Sequence, residues 1–214
     1  MLPKIGILCA GDDELAPFLP LLDRRSVRRQ AMLTIHEGWI SSVPAAALYS
    51  GVCKVNAAIA AQVLIDSCRV EAIINAGTAG GIDPSISIFD TVISTETAYH
   101  DVAEDILTEF HPWMDSIWFP GDPFLLSLAT QAAQALRPPV RFGDVTEKLL
   151  SVPGTEAVRP HFTPFARIWN PRPLPMSAMQ SASHSSPFAP LTDSADRSAA
   201  ACFEENCRRA SEIA

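Results

Sequence analysis

Basic residues are in short supply: 16 Lys and Arg stand against 24 Asp and Glu, a formal net charge of −8. That deficit argues against nucleic acid or an anionic membrane as the main partner, since both require basic patches. No apolar stretch reaches the roughly 18 residues of a membrane span. The apolar opening, Ile5 to Ala10, runs straight into "GDDE" and reads as a strand rather than the core of a signal peptide. Cysteines are few, odd in number and scattered (Cys9, Cys53, Cys68, Cys202, Cys207). They suit a reducing cytoplasm better than a disulfide framework. Cys202 and Cys207 lack a metal-ligand spacing and a matching His/Cys pair, so both read as buried or incidental thiols and no metal is expected. No G-x-G-x-x-G in the dinucleotide spacing occurs, no cofactor is expected, and no repeat recurs at a fixed period.

What is present is ordinary globular material. At 214 residues, 48% hydrophobic and 19% charged, the chain can form one domain over 1–214 with a real core. "KIGILCA" (4–10) predicts a buried first strand. Residues 31–51 hold two extended stretches separated by "SSVP", hence a hairpin or strand pair. Lys54 to Ser67 predicts a helix, with Val55, Ala58, Ile59 and Val63 at helical spacing and alanines that suit close packing on a sheet. "AIINAG" (72–77) and Thr91 to Thr97 predict further strands, and Asp122 caps a helix through Leu136. "CFEENCRRASEIA" (202–214) predicts a last helix, which is expected to continue past Ala214. Strands alternating with helices imply a parallel or mixed sheet covered on its faces.

Two strand ends could carry chemistry. "AGDDEL" (10–15) puts carboxylates just beyond the first strand, where open α/β sheets place their ligand crevice. A glutamate there could activate water as a general base; equally, acids decorate helix N-termini because the dipole favours them. "NAGTAGGI" (75–82) offers glycines that let backbone N–H groups approach a ligand, or simply a tight turn. His100 and Asp101 in "YHDV" form either an acid–base pair or a structural one. Asp193 and Asp196 in "TDSAD" are a third acidic spot, or a helix cap.

Together, "KIGILCAGDDELAPFL", "YSGVCKVNAAIAAQVLID", "AIINAGTAGGI", "DTVISTETAYHDV" and "TDSADRS" resemble the 5′-methylthioadenosine/S-adenosylhomocysteine nucleosidases of the purine nucleoside phosphorylase superfamily. The resemblance implies a three-layer α/β/α domain with a mixed, twisted central sheet, and a purine nucleoside as the small-molecule partner. It implies a homodimer in the cytoplasm, with no nucleic acid or membrane partner. By motif, Glu14 is the water-activating glutamate and Asp193 the acid at purine N7. Thr78 matches the serine or threonine of the glycine loop, and Gly80 lines the adenine and ribose site. Asp12, Asp13 and Glu14 would repel a phosphate yet suit a water nucleophile, which favours hydrolysis over phosphorolysis. A phosphorolytic relative and a catalytically inactive nucleoside-binding homologue are the alternatives.

From about Gly143 the pattern fails. Eight of the 18 prolines lie between Gly143 and Pro190, and Ser177 to Ser186 holds five serines. The family's Gly-Glu-Ala-Phe-Ile, Asp-Met-Glu, Ala-His-Val-Cys and Ile-Arg motifs are absent there. Shifting the reading frame, so that each triplet takes one codon's third base and two bases of the next, allows them with permitted codons. Trp169 followed by Asn170 must then give Glu, Met179 followed by Gln180 must give Ala, and Ile168 written ATA gives Met. Residues 143–190 thus read as family sequence translated out of frame, the alternative being a genuine disordered insert. The encoded chain, lacking the ribose-binding glutamate and a core strand and helix, is expected to fold poorly and turn over little.

Overall fold

A computed structural model describes residues 2–81, 85–99, 104–110, 114–135, 140–147, 166–168, 184–193 and 199–213. Its centre is a mixed sheet whose strands follow the order β2 (Asp23–Gln30), β3 (Leu33–Ile40), β4 (Val43–Tyr49), β1 (Ile5–Cys9), β5 (Ala72–Ala76), β11 (His184–Asp193), β6 (Ala79–Gly81), β10 (Ala166–Ile168), β9 (Val140–Glu147), β7 (Thr91–Ala98) and β8 (Trp118–Pro120), with β11 also bridging to β7. The middle of that sheet is built first by short apolar runs. β1 (Ile5–Cys9) lies parallel between β4 (Val43–Tyr49) and β5 (Ala72–Ala76), with Ile7 opposite Ala47 on one side and Ile74 on the other. Strands buried on both faces need mostly apolar residues, and these three have them, with Asn75 of β5 the buried polar exception.

Alternation along β1 and β4 separates two cores. Leu8, Ala46 and Leu48 pack with Ala60, Ala61, Leu64 and Ile73 beneath helix α2 (Lys54–Asp66). Ile7, Cys9, Ala45 and Ala47 pack on the opposite face with Leu15 and Leu22, which come from the short helix α1 (Asp12–Leu15) and the end of the 3₁₀ turn (Ala16–Leu21). The sheet is therefore covered on both faces, as the α/β/α expectation requires. Fully buried side chains such as Leu8, Leu64 and Ile73 each contribute about 1.5–3 kcal/mol.

The helix α2 corrects its predicted face. Ala57, Ala60, Ala61, Leu64 and Ile65 are the buried residues, whereas Val55 is 70% and Ile59 39% exposed. Small alanines let the helix axis come close to the sheet, so the larger aliphatics turn outward. Sequence reading also passed over β2 (Asp23–Gln30), whose "DRRSVRRQ" pairs antiparallel with β3 (Leu33–Ile40) at the sheet's edge. Arginines on an edge strand discourage pairing with another chain. The predicted hairpin joins β3 to β4 through Ser41 and Ser42, both at positive φ, with Ile40 opposite Val43. That is the primed two-residue turn that matches strand twist.

β6 (Ala79–Gly81) and β7 (Thr91–Ala98) continue the sheet, and β8 (Trp118–Pro120) pairs on β7. Helix α3 spans Glu104–Phe110, and α4 (Pro123–Ala133) is capped as predicted, Asp122 Oδ1 accepting from the Leu125 N–H at 2.9 Å. Leu136, where α4 was expected to end, lies outside the described residues.

Three strands fall in the stretch where the sequence pattern failed: β9 (Val140–Glu147), β10 (Ala166–Ile168) and β11 (His184–Asp193). The expected loss of a central strand is thereby corrected. β11 lies parallel to β5, His184 opposite Ala72 through Phe188 opposite Ala76, and antiparallel to β7 through Pro190 opposite Thr91. Each proline removes one ladder donor, but the other strand positions and neighbours on both sides keep the segment in register. Helix α5 (Ala199–Ile213) closes the fold, beginning three residues before the predicted start at Cys202.

Candidate active site

The site grows from the carboxyl ends of β1 and β5. After Cys9 the chain turns at Gly11 into α1, and Glu14 falls at its third position with only 6% of its surface exposed. Its Oε2 accepts from the Ala10 N–H at 2.8 Å and the Gly11 N–H at 2.9 Å. Its Oε1 accepts from the Thr78 N–H at 2.7 Å and the Thr78 Oγ1–H at 2.8 Å. Four donors thus fill the four lone-pair positions of the carboxylate. Hydrogen bonds to a charged acceptor are worth about 1.5–3 kcal/mol each, so this side chain is fixed in place. Glu14 caps its own helix, as the helix reading of the acidic loop expects, and also reaches across to the glycine turn.

Thr78, 3% exposed, sits in the two-residue link between β5 and β6. Its hydroxyl and amide both donate to Glu14. Gly77 matters for a reason sequence reading missed. A Cβ there would stand 3.0 Å from Glu14 Oε1 and 3.3 Å from its Cδ, so only glycine leaves the carboxylate its seat. The "NAG" preceding Thr78 was the available signal, legible only with Glu14 placed against it.

Gly80, in β6, is buried and stands opposite Asp193, the last residue of β11. The backbone therefore brings Glu14, Thr78, Gly80 and Asp193 to neighbouring strand ends on one rim of the sheet. His100, Asp101 and Asp196 lie outside the described residues.

The helix α5 adds a residue that the sequence left as an incidental thiol. Cys207 is half-buried beside Thr78 and Glu14. Burial and the Glu14 carboxylate push its thiol pKa up, against the hydrogen bonds of Ser211 and Thr78. Cys9, fully buried, is raised well above the usual thiol range by burial and then by Glu14. Both shifts keep neutral thiols around a single buried anion. Among the described residues no group of three or more His, Cys, Asp or Glu could hold a metal ion. No helix among them is long and apolar enough to cross a membrane.

Relatives share both sequence and shape. The chain is 33% identical over 136 residues to a 5′-methylthioadenosine/S-adenosylhomocysteine nucleosidase of Chromohalobacter salexigens, covering 62% of this chain and 57% of that protein. It is 38% identical over 143 residues to the nucleosidase of the same name from Halalkalibacterium halodurans, covering 65% of this chain and 62% of the relative. The alignments thus span about three fifths of these curated relatives' length. The crystal structure of such a nucleosidase from Colwellia psychrerythraea, in complex with adenine, superposes with a TM-score of 0.89. It is 26% identical and covers 100% of this chain and 91% of that one. The model of the phosphorylase superfamily matches residues 4–146, a span that takes in β1, the Glu14 loop, the glycine turn and β7. With that match covering most of the chain and the mixed sheet it implies in place, the protein belongs to the phosphorylase superfamily.

Proposed function

We propose that the chain hydrolyses the N-glycosidic bond of 5′-methylthioadenosine and S-adenosylhomocysteine, releasing adenine. The observation that carries hydrolysis over phosphorolysis is the occupancy of the loop amides. A phosphorylase must hold an anion beside the sugar with backbone N–H groups and cations. Here the N–H groups of Ala10, Gly11 and Thr78 all point at Glu14's own carboxylate. A phosphate brought to about 4 Å of that charge would meet roughly 4 kcal/mol of repulsion at the effective dielectric of a protein surface. Water meets none.

In this reaction the C1′–N9 bond breaks as positive charge grows on the sugar. Asp193 delivers a proton to purine N7, so that adenine leaves neutral. Water attacks C1′ and gives its proton to Glu14. Of the four donors on Glu14, three are backbone amides and one is the rotatable Thr78 hydroxyl. Its rotation away from Oε1 frees the lone pair that the attacking water needs. Thr78 therefore acts through Glu14, and Gly80, opposite Asp193, lines the adenine and ribose site.

Turnover in this chain lies below that of the relatives, because residues 143–190 carry the family's ribose-binding motif only in the shifted frame. The exposed apolar set Val52, Val55 and Ile59 at the start of α2 supports a homodimer, as the resemblance implies. The test is adenine release from 5′-methylthioadenosine by the purified chain, with and without phosphate. Release independent of phosphate is expected, falling by about 10²-fold or more in Glu14→Gln. Release that requires phosphate, or that survives Glu14→Gln unchanged, would refute the proposal.

A further inference from the structure

The end of β11 is irregular. Leu191 stands opposite Ala79 and Asp193 opposite Gly80, so two steps on β11 match one step on β6. Thr192 is the extra residue of a β-bulge, and bulges re-aim the side chains next to them. A bulge takes its residue out of the ladder, and the groups so released need partners. Thr192 is fully buried, and its hydroxyl donates to the Ala79 carbonyl at 3.2 Å. Its own carbonyl accepts from Asn206 Nδ2 at 3.1 Å. Asn206 lies on α5, one residue before Cys207, which neighbours Thr78 and Glu14. One turn of α5 thus touches both arms of the site.

We propose that Asn206 is a positioning residue that locks the Thr192 bulge and thereby fixes the register at which Asp193 meets Gly80. Without the Nδ2 donor, the bulge can relax by one residue, and a one-residue slip moves every subsequent residue to the other face of the sheet. Asp193, the very next residue, would feel this most. Its catalytic consequence rests on the nucleosidase function proposed above; the lock itself does not.

The experiment compares wild type, Asn206→Leu and Asn206→Asp by amide hydrogen exchange of the peptide spanning 188–193, with adenine release measured in parallel. Leu keeps the side chain's branching and number of heavy atoms without the donor, and Asp keeps its shape while replacing the donor with an acceptor. Arg208→Ala is the control on the same helix; that arginine is exposed and paired with Glu212 at 3.8 Å. In both Asn206 variants, exchange at 191–193 rises about tenfold or more while the β1 and β5 amides stay protected. In the same variants kcat falls about tenfold or more with KM within about twofold. Arg208→Ala changes neither. Wild-type exchange at 191–193 in Asn206→Asp would overturn the lock, whether or not Asn206→Leu folds. Faster exchange in the variants with no adenine release from wild type would uphold the lock and overturn the nucleosidase function.

Discussion

Replacing Gly77 with alanine probes how the Glu14 carboxylate is held. Gly77 is outside the positive-φ region, so alanine meets no backbone penalty there. Its Cβ would stand 3.0 Å from Glu14 Oε1, at the limit that real contacts show. To regain ordinary contact the carboxylate must retreat by a few tenths of an ångström. That motion stretches the 2.7 and 2.8 Å bonds from Thr78, both of which end on the same oxygen. Weakening two charge-assisted bonds, each worth about 1.5–3 kcal/mol, gives an expected destabilisation of about 2 kcal/mol. The accompanying displacement of the base lowers adenine release by about tenfold or more. Urea unfolding measures the first effect and a coupled adenine assay the second. The decisive comparison is the double mutant. With Glu14→Ala already in place the obstruction is gone, and Gly77→Ala is expected to stabilise by about 0.4–1 kcal/mol through the unfolded chain. An equal loss in both backgrounds would show that the cost does not pass through Glu14.

Two further outcomes are expected. His36 Nδ1 on β3 is buried without a hydrogen-bond partner among the described residues, and burial, then Arg25, lowers its pKa from 6.5. A depressed folded value means stability that is complete above 6.5 and lost as pH falls through the folded pKa. Unfolding from pH 7.5 to 5 should therefore show a steeper acid loss in wild type than in His36→Gln; parallel curves would refute this (the interval is about the range over which histidine titrates). Sequencing the gene should find Ile168 encoded ATA, and restoring the frame across 143–190 should raise turnover of 5′-methylthioadenosine; any other isoleucine codon removes the recovered Met-Glu.

Much of this fold is written locally. β1 and β5 are dense apolar runs, β7 is rich in β-branched residues (Thr91, Val92, Ile93, Thr95, Thr97), and Asp122 announces α4, so each could be read without its neighbours. β2 could not, because a strand of arginines has no apolar face and exists only through its pairing with β3. The buried face of α2 was misread because helical spacing alone does not say whether small or large residues meet the sheet. The prolines of β11 spoke against a strand, yet its register depends on distant partners, Ala72 to Ala76 of β5 and Thr91 to Ile93 of β7. In the site, Glu14 and Thr78 were visible as residues of apt chemistry at strand ends. Their direct bond, the space kept by Gly77 and the Asn206 contact to Thr192 are long-range facts that no local pattern encodes.

The most direct measurement of the central claim is the fate of the oxygen that reaches the sugar. The chain is incubated with 5′-methylthioadenosine in ¹⁸O-water containing phosphate, and the sugar product is analysed by mass spectrometry. One ¹⁸O at C1 of free methylthioribose, formed at a rate that phosphate does not change, is the expected result. A sugar 1-phosphate would contradict it, since that product requires the anion that Glu14 is held in place to exclude.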